Sequence, residues 1–255
     1  MPHTLINNFR DIPELQMSKF AEIYERIRPL IVLLGLAELV WIAYWMFQAE
    51  SAVPGYLLSV VVWIVAMLAW MAAVIFAGTR DFFLKHTNLL LNLAGVVLVL
   101  AFSAVLFGSI EAARNGLVDA ASNTTDLQLV SIHVLRLLAI GTVIKYMQGQ
   151  LPLHFVVLGS LPDFAFALSA VALSVVLVDG AFGQEFLMVW HLVGFSLFLG
   201  AGISMFFSVP SPLRIYYDKP DASIVFQYPM VLAPNFTVPL FMLAHAFALA
   251  KLFMI

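Results

Sequence analysis

Six ionisable side chains interrupt otherwise apolar stretches of this sequence: Glu38, His133, Arg136, Asp163, His191 and His245. Such groups cost a few kcal/mol each to place in hydrocarbon, so they must find partners inside the protein and are functional candidates by default. The histidines offer the widest chemistry. Neutral imidazole is the commonest nitrogen ligand for zinc, copper and iron, and two imidazoles can hold a haem axially. His133, His191 and His245 are therefore the candidate cofactor ligands, for haem b or a histidine-bound transition metal. Asp163 would complete a mixed nitrogen–oxygen metal site, with Glu38 and Arg136 as charge partners. Each histidine belongs to a different apolar stretch, so no pair at helical spacing certifies a metal.

The same residues suit proton or ion movement. Histidine titrates near neutral pH, and a carboxylate beside arginine can exchange partners as protons arrive. The stretch Gly159-Ser160-Leu161-Pro162-Asp163 predicts a proline kink with Ser160 capping the next turn, or an unwound helix that frees carbonyls for a ligand. A third reading is purely structural: Arg136 with Glu38 or Asp163 forms a buried ion pair that fixes packing.

Other chemistries find little support. The chain has no cysteine, which excludes disulfides, thiolate metal sites, iron–sulfur clusters and attached c-type haem. Ser160, Ser169 and Ser196 lack a nucleophile motif, and no phosphate loop or dinucleotide fingerprint occurs. No catalytic residue can be assigned. Neither a basic stripe nor aromatic–basic interleaving points to nucleic acid. Gly194, Gly200 and Gly202, with Ser196 and Ser204, give one apolar stretch a small-residue face suited to close helix packing.

The elements that must position these groups are membrane helices. Only 11% of the 255 residues are charged and 63% are hydrophobic, whereas a soluble domain carries about 25% charged residues. A crossing helix needs roughly 20 apolar residues. Seven stretches qualify: about Pro29–Gln48, Pro54–Gly78, His86–Ile110, Leu127–Met147, His154–Val178, Glu185–Val209 and Asn235–Ile255. With the N-terminus inside, nine of the twelve basic residues fall on inner segments, and only Arg114 and Lys251 fall outside. That asymmetry predicts N-inside and C-outside. It also puts the six ionisable residues between the midplane and the outer face, on five helices. Glu14–Arg28 has the apolar spacing of an amphipathic helix. Two longer connections remain, a polar outer one near Glu111–Asp126 and a proline-rich inner one at Pro210–Pro234, expected to be extended and ordered against the helix ends.

LHFVVLGSLPDFAFALSA at Leu153–Ala170, WHLVG around His191, and YPMVLAPNFTVPLFMLAHAFAL at Tyr228–Leu249 resemble segments of a family of uncharacterised bacterial multi-pass membrane proteins. The resemblance covers roughly the second half of the chain and implies an architecture and a location, with no reaction. It implies Asp163, Tyr228-Pro229, Pro239 and His245 as shared features, and asparagine in relatives at the position of His191.

The expected fold is an all-α, polytopic integral membrane bundle of about seven transmembrane helices. It comprises an amphipathic N-terminal segment (1–28) and a single transmembrane domain (29–255). The lipid bilayer is the expected partner, with homo-oligomers or subunits of a membrane complex as further possibilities. Apolar helices of this kind point to a bacterial inner membrane. Three functions follow: a haem- or metal-binding redox protein or subunit, a proton-coupled small-solute permease, or a scaffold.

Overall fold

Apolar residues on every face, uninterrupted by proline, make the longest helices. The computed structural model describes residues 30–49, 55–85, 89–180 and 182–254; the amphipathic helix expected over Glu14–Arg28 lies outside them. Among the described residues the main helices are α1 (Leu30–Met46), α2 (Tyr56–Gly78), α3 (Leu89–Ser109), α4 (Glu111–Asn123), α5 (Asp126–Ser131), α6 (Ile140–Met147), α7 (Leu161–Asp179), α8 (Gln184–Ser208) and α9 (Val238–Met254). In α2 the buried residues Tyr56, Val60, Trp63, Met67, Met71 and Val74 recur at helical spacing. Leu57, Leu58, Val61, Val62 and Val65 on the opposite side are exposed and equally apolar. A helix whose outer face matches its inner face in apolarity is built for lipid.

Five helical stretches among the described residues are long and apolar enough to cross a membrane: Tyr56–Gly78, Asp126–Met147, Leu153–Val178, Gln184–Ser208 and Ala233–Phe253. A sixth arises if the bent pair Ala94–Ser109 and Glu111–Asn123 is one span. The chain is thus all-α with five to six candidate membrane spans. Helix α1 is apolar and has 17 residues, at the lower end of the crossing range.

The outer connection expected near Glu111–Asp126 is largely helical. Extended backbone at Ile110 turns the chain by 102°. Helix α4 then packs a small-residue face, Ala113, Gly116, Ala120 and Ala121, onto its neighbours. Its polarity reads as a loop, but those small residues recur at helical spacing and let it approach closely. The Pro210–Pro234 connection is ordered, as expected, but not extended throughout, since Ala222–Phe226 form a 3-10 turn. Ile215 and Tyr216 donate backbone bonds to the Phe207 carbonyl, and Phe226 and Val231 are fully buried.

Three spans depart from α geometry. The fourth stretch of the sequence reading, Leu127–Met147, contains a 3-10 segment at Ile132–Ala139 between α5 and α6. Two others begin with a π turn, Val156–Ser160 before α7 and Ala233–Thr237 before α9. Each π turn closes with a bond five residues long, Leu161 N–H to the Val156 carbonyl and Val238 N–H to the Ala233 carbonyl. In each, a proline follows immediately, at Pro162 and Pro239. A proline ring clashes with the carbonyl four residues back, and a wider turn moves that carbonyl aside. At Ser160 the structure therefore shows neither an unwound helix nor a cap. The helix continues through the widened turn, and Ser160 accepts a hydrogen bond from Thr142 at 2.5 Å.

Candidate metal centre and adjoining cavity

The 3-10 segment aligns the first two site residues. Side chains three apart eclipse one another in a 3-10 helix, so His133 and Arg136 leave the backbone on the same side. Both are buried. Asp163 enters from the first turn of α7, His191 and Gly194 from α8, and His245 from α9. Close approach of α8 and α9 depends on Gly194. A Cβ there would run into the Phe166 ring and the His245 imidazole.

Arg136 is the hub. Its Nε donates to Asp163 Oδ1 at 2.7 Å and its Nη2 to the same oxygen. Its Nη1 donates to the Gly194 carbonyl at 3.3 Å and to His245 Nε2 at 3.0 Å. The guanidinium carbon lies 4.5 Å from the centre of the Phe166 ring and 4.4 Å from that of Phe198, close enough for cation–π attraction. These contacts supply the partners that a buried cation requires.

Arginine only donates, which sets the histidine tautomers. His245 Nε2 accepts from Arg136, so its Nδ1 carries the proton. That Nδ1 stands 3.0 Å from His191 Nδ1, which must then accept. The polarity runs from Arg136 through His245 to His191. His133 stacks on His245, with ring centroids 3.9 Å apart and planes at 14°. It also meets Trp190 and His191 edge-on. Although His133 is completely buried, neither of its ring nitrogens finds a hydrogen-bond partner among the described residues.

The three histidines form a group in which each offers one ring nitrogen, all within 4.8 Å of one another. Such a group could hold a metal ion. Asp163 stands outside it, engaged by Arg136. Glu38 is fully buried on α1, has Arg136 and Asp163 as charged neighbours, and finds no hydrogen-bond partner among the described residues. Residues 88–253 match the family model of a domain of unknown function, DUF8737. The chain belongs to the DUF8737 family. This match extends the resemblance seen in the sequence back to the start of α3. The matched segment contains every candidate site residue above except Glu38. No curated protein and no solved structure matches the chain.

Sequence reasoning named all six ionisable residues but missed the aromatic wall around them. Phe166 is three residues after Asp163, Phe198 four after Gly194, and Phe241 four before His245. Helical spacing was the available signal, since residues three and four apart share a face. It also missed the cavity. A space of about 220 Å3 lies beside Arg136 and Asp163, bounded among others by Gly141, Thr142, Ser160, Phe198 and Phe241. It is mostly apolar, and its lining holds the ion pair but none of the three histidines.

Proposed function

We propose that this is a seven-span inner-membrane protein, N-inside, whose three-histidine cluster binds a transition metal ion and serves redox chemistry, alone or within a membrane assembly. The count of seven adds α1 and the α3 span to the five long stretches, and the orientation rests on the asymmetry of basic residues. The observation that carries the metal reading is His133. A buried imidazole with two unpartnered nitrogens calls for a bound group, and two more imidazoles converge on it. A nitrogen-only site suits zinc, copper or iron.

Loading the ion has a structural cost. If His245 held the ion through Nδ1, that nitrogen would have to give up its proton, which would pass to Nε2, where Arg136 now donates. Arg136 would then release His245 and keep Asp163. The stacking favours a bare ion over haem. Axial imidazoles stand on opposite faces of a porphyrin, whereas His133 and His245 lie ring against ring.

Metal analysis of the purified protein after incubation with Zn2+ or Cu2+, with a visible spectrum, tests this. About one ion per chain is expected, without a Soret band, and His133→Ala should abolish retention while the fold survives. A well-folded, metal-free wild-type protein would sink the reading.

A second reading is a proton-coupled carrier, favoured by the cavity beside the Arg136–Asp163 pair. Asp163→Asn should then abolish pH-dependent uptake into vesicles. Substitutions across the layer that change thermal stability alone would instead return the protein to a scaffold.

A further inference from the structure

The cavity carries an inference of its own, independent of whether the histidines hold a metal. Its walls come from α1, four of the long spans and the connection before the last of them, and its volume is about 220 Å3. An apolar cavity of roughly 150 Å3 already admits benzene, so this one accommodates a substituted ring or a short branched chain.

The polar end selects the head group. The Arg136 side chain is 0% exposed and the Asp163 side chain 23%, so an occupant meets the carboxylate, not the guanidinium. Both bonds from Arg136 to Asp163 go to Oδ1, leaving Oδ2 free of Arg136. A carboxylate only accepts, so the occupant must donate. An anionic occupant would meet this carboxylate first. A cation would add an unbalanced charge in hydrocarbon, because Arg136 already neutralises Asp163. A neutral hydroxyl fits both conditions. Thr142 and Ser160, joined by their own hydrogen bond at 2.5 Å, add hydroxyl groups to the wall beside it. Phe155, Phe198 and Phe241 supply an aromatic lining.

We propose that the cavity is a binding site for a small, neutral, apolar hydroxyl compound, a phenol or alcohol drawn from the lipid phase, with its O–H donated to Asp163. Binding by a carboxylate acceptor makes the hydroxyl, and not merely the apolar body, the recognised feature.

The test uses full-length protein, stripped of metal, in lipid nanodiscs. A diazirine-bearing 4-alkylphenol is photolysed and its adducts are mapped by mass spectrometry, with 4-propylphenol and its methyl ether as competitors. Adducts are expected on the segments Leu135–Thr142 and Phe155–Asp163. The phenol should displace the label at about tenfold lower concentration than the ether, the worth of a hydrogen bond to a charged acceptor. Gly141→Leu should suppress labelling about tenfold with the melting temperature maintained, because an added Cβ at Gly141 meets nothing within 4 Å and leucine is the better helix former. Equal competition by the ether would overturn the role of Asp163 without any variant needing to fold. Unchanged labelling in Gly141→Leu, or adducts spread over lipid-facing residues, would overturn the site itself. None of these outcomes depends on metal retention, so failure here and failure of the metal reading remain separate.

Discussion

The two proline-widened turns have the same construction and different partners for the carbonyl that the proline frees. At Ala233–Thr237 the carbonyl that Pro239 cannot serve belongs to Asn235, and Trp70 Nε1 from α2 donates to it at 2.8 Å. Asn235 and Phe236 there are completely buried. At Val156–Ser160 the corresponding carbonyl is that of Leu158. It lies against Gly200 of α8, where a Cβ would collide with it, and the close approach suits a weak C–H donor. This second turn continues into the cavity wall through Gly159, Ser160 and Asp163. The first turn also borders that space, through Ala233 and Thr237, but an indole N–H holds its freed carbonyl. The second has a glycine against its carbonyl and leads within one turn to the Arg136–Asp163 pair. A proline in a membrane helix therefore marks function only together with what faces it.

The largest effect should separate the two sides most clearly. Arg136→Leu leaves Asp163 buried without its cation, and breaking such a pair by removing one partner costs about 3–5 kcal/mol. Denaturant titration in detergent should show that loss. The Arg136→Leu/Asp163→Leu double variant should recover much of it, because an apolar replacement of a buried pair is often neutral or better. If the single variant were as stable as wild type, the pair would not be the structural hub of this side.

At the indole-capped turn, Trp70→Phe keeps an aromatic ring but removes the donor to the Asn235 carbonyl. An orphaned buried carbonyl costs about 1–3 kcal/mol. The variant should melt earlier while retaining metal and cavity labelling as wild type does. Loss of metal on this substitution would erase the distinction between the turns, and loss of labelling would show that the indole also holds the Ala233–Thr237 part of the cavity wall.

These contrasts were only partly legible in the sequence. The apolar length of α2 and α8 and the six ionisable residues were visible, because each depends on residue type alone. Pro162 and Pro239 were visible too, yet their difference depends on Trp70 lying 165 positions from Asn235, a relation no local pattern encodes. The 3-10 segment was hidden because Ile132–Ala139 is compositionally an ordinary apolar stretch interrupted by His133 and Arg136. Helix α4 was obscured by its polarity, and the choice between Glu38 and Asp163 as the partner of Arg136 is a tertiary fact.

A smaller effect tests the cavity-side wall. Thr142→Val deletes the hydroxyl that bonds Ser160 with little change of shape. The expected loss is about 0.5–1.5 kcal/mol, the net worth of one neutral hydrogen bond. Weakened phenol labelling should accompany it if these hydroxyls help orient the occupant. A melting shift without a labelling change would confine the pair to packing.

The smallest effect, near zero in metal-free buffer, belongs to His133→Leu. The imidazole is already buried without a hydrogen-bond partner among the described residues, so an apolar side chain of similar size removes a desolvation penalty and leaves no donor or acceptor stranded. The variant should melt at or slightly above the wild-type temperature in chelator. Added Zn2+ should then reverse the order. A ligand that binds only the folded protein stabilises it by about 2.7 kcal/mol at a hundred times its Kd, and the variant lacks one of three nitrogens. Wild type should therefore shift upward with metal while His133→Leu stays put. Equal metal shifts in both proteins would remove His133 from the site, and no shift in either would leave its burial to packing against Trp190 and Phe166.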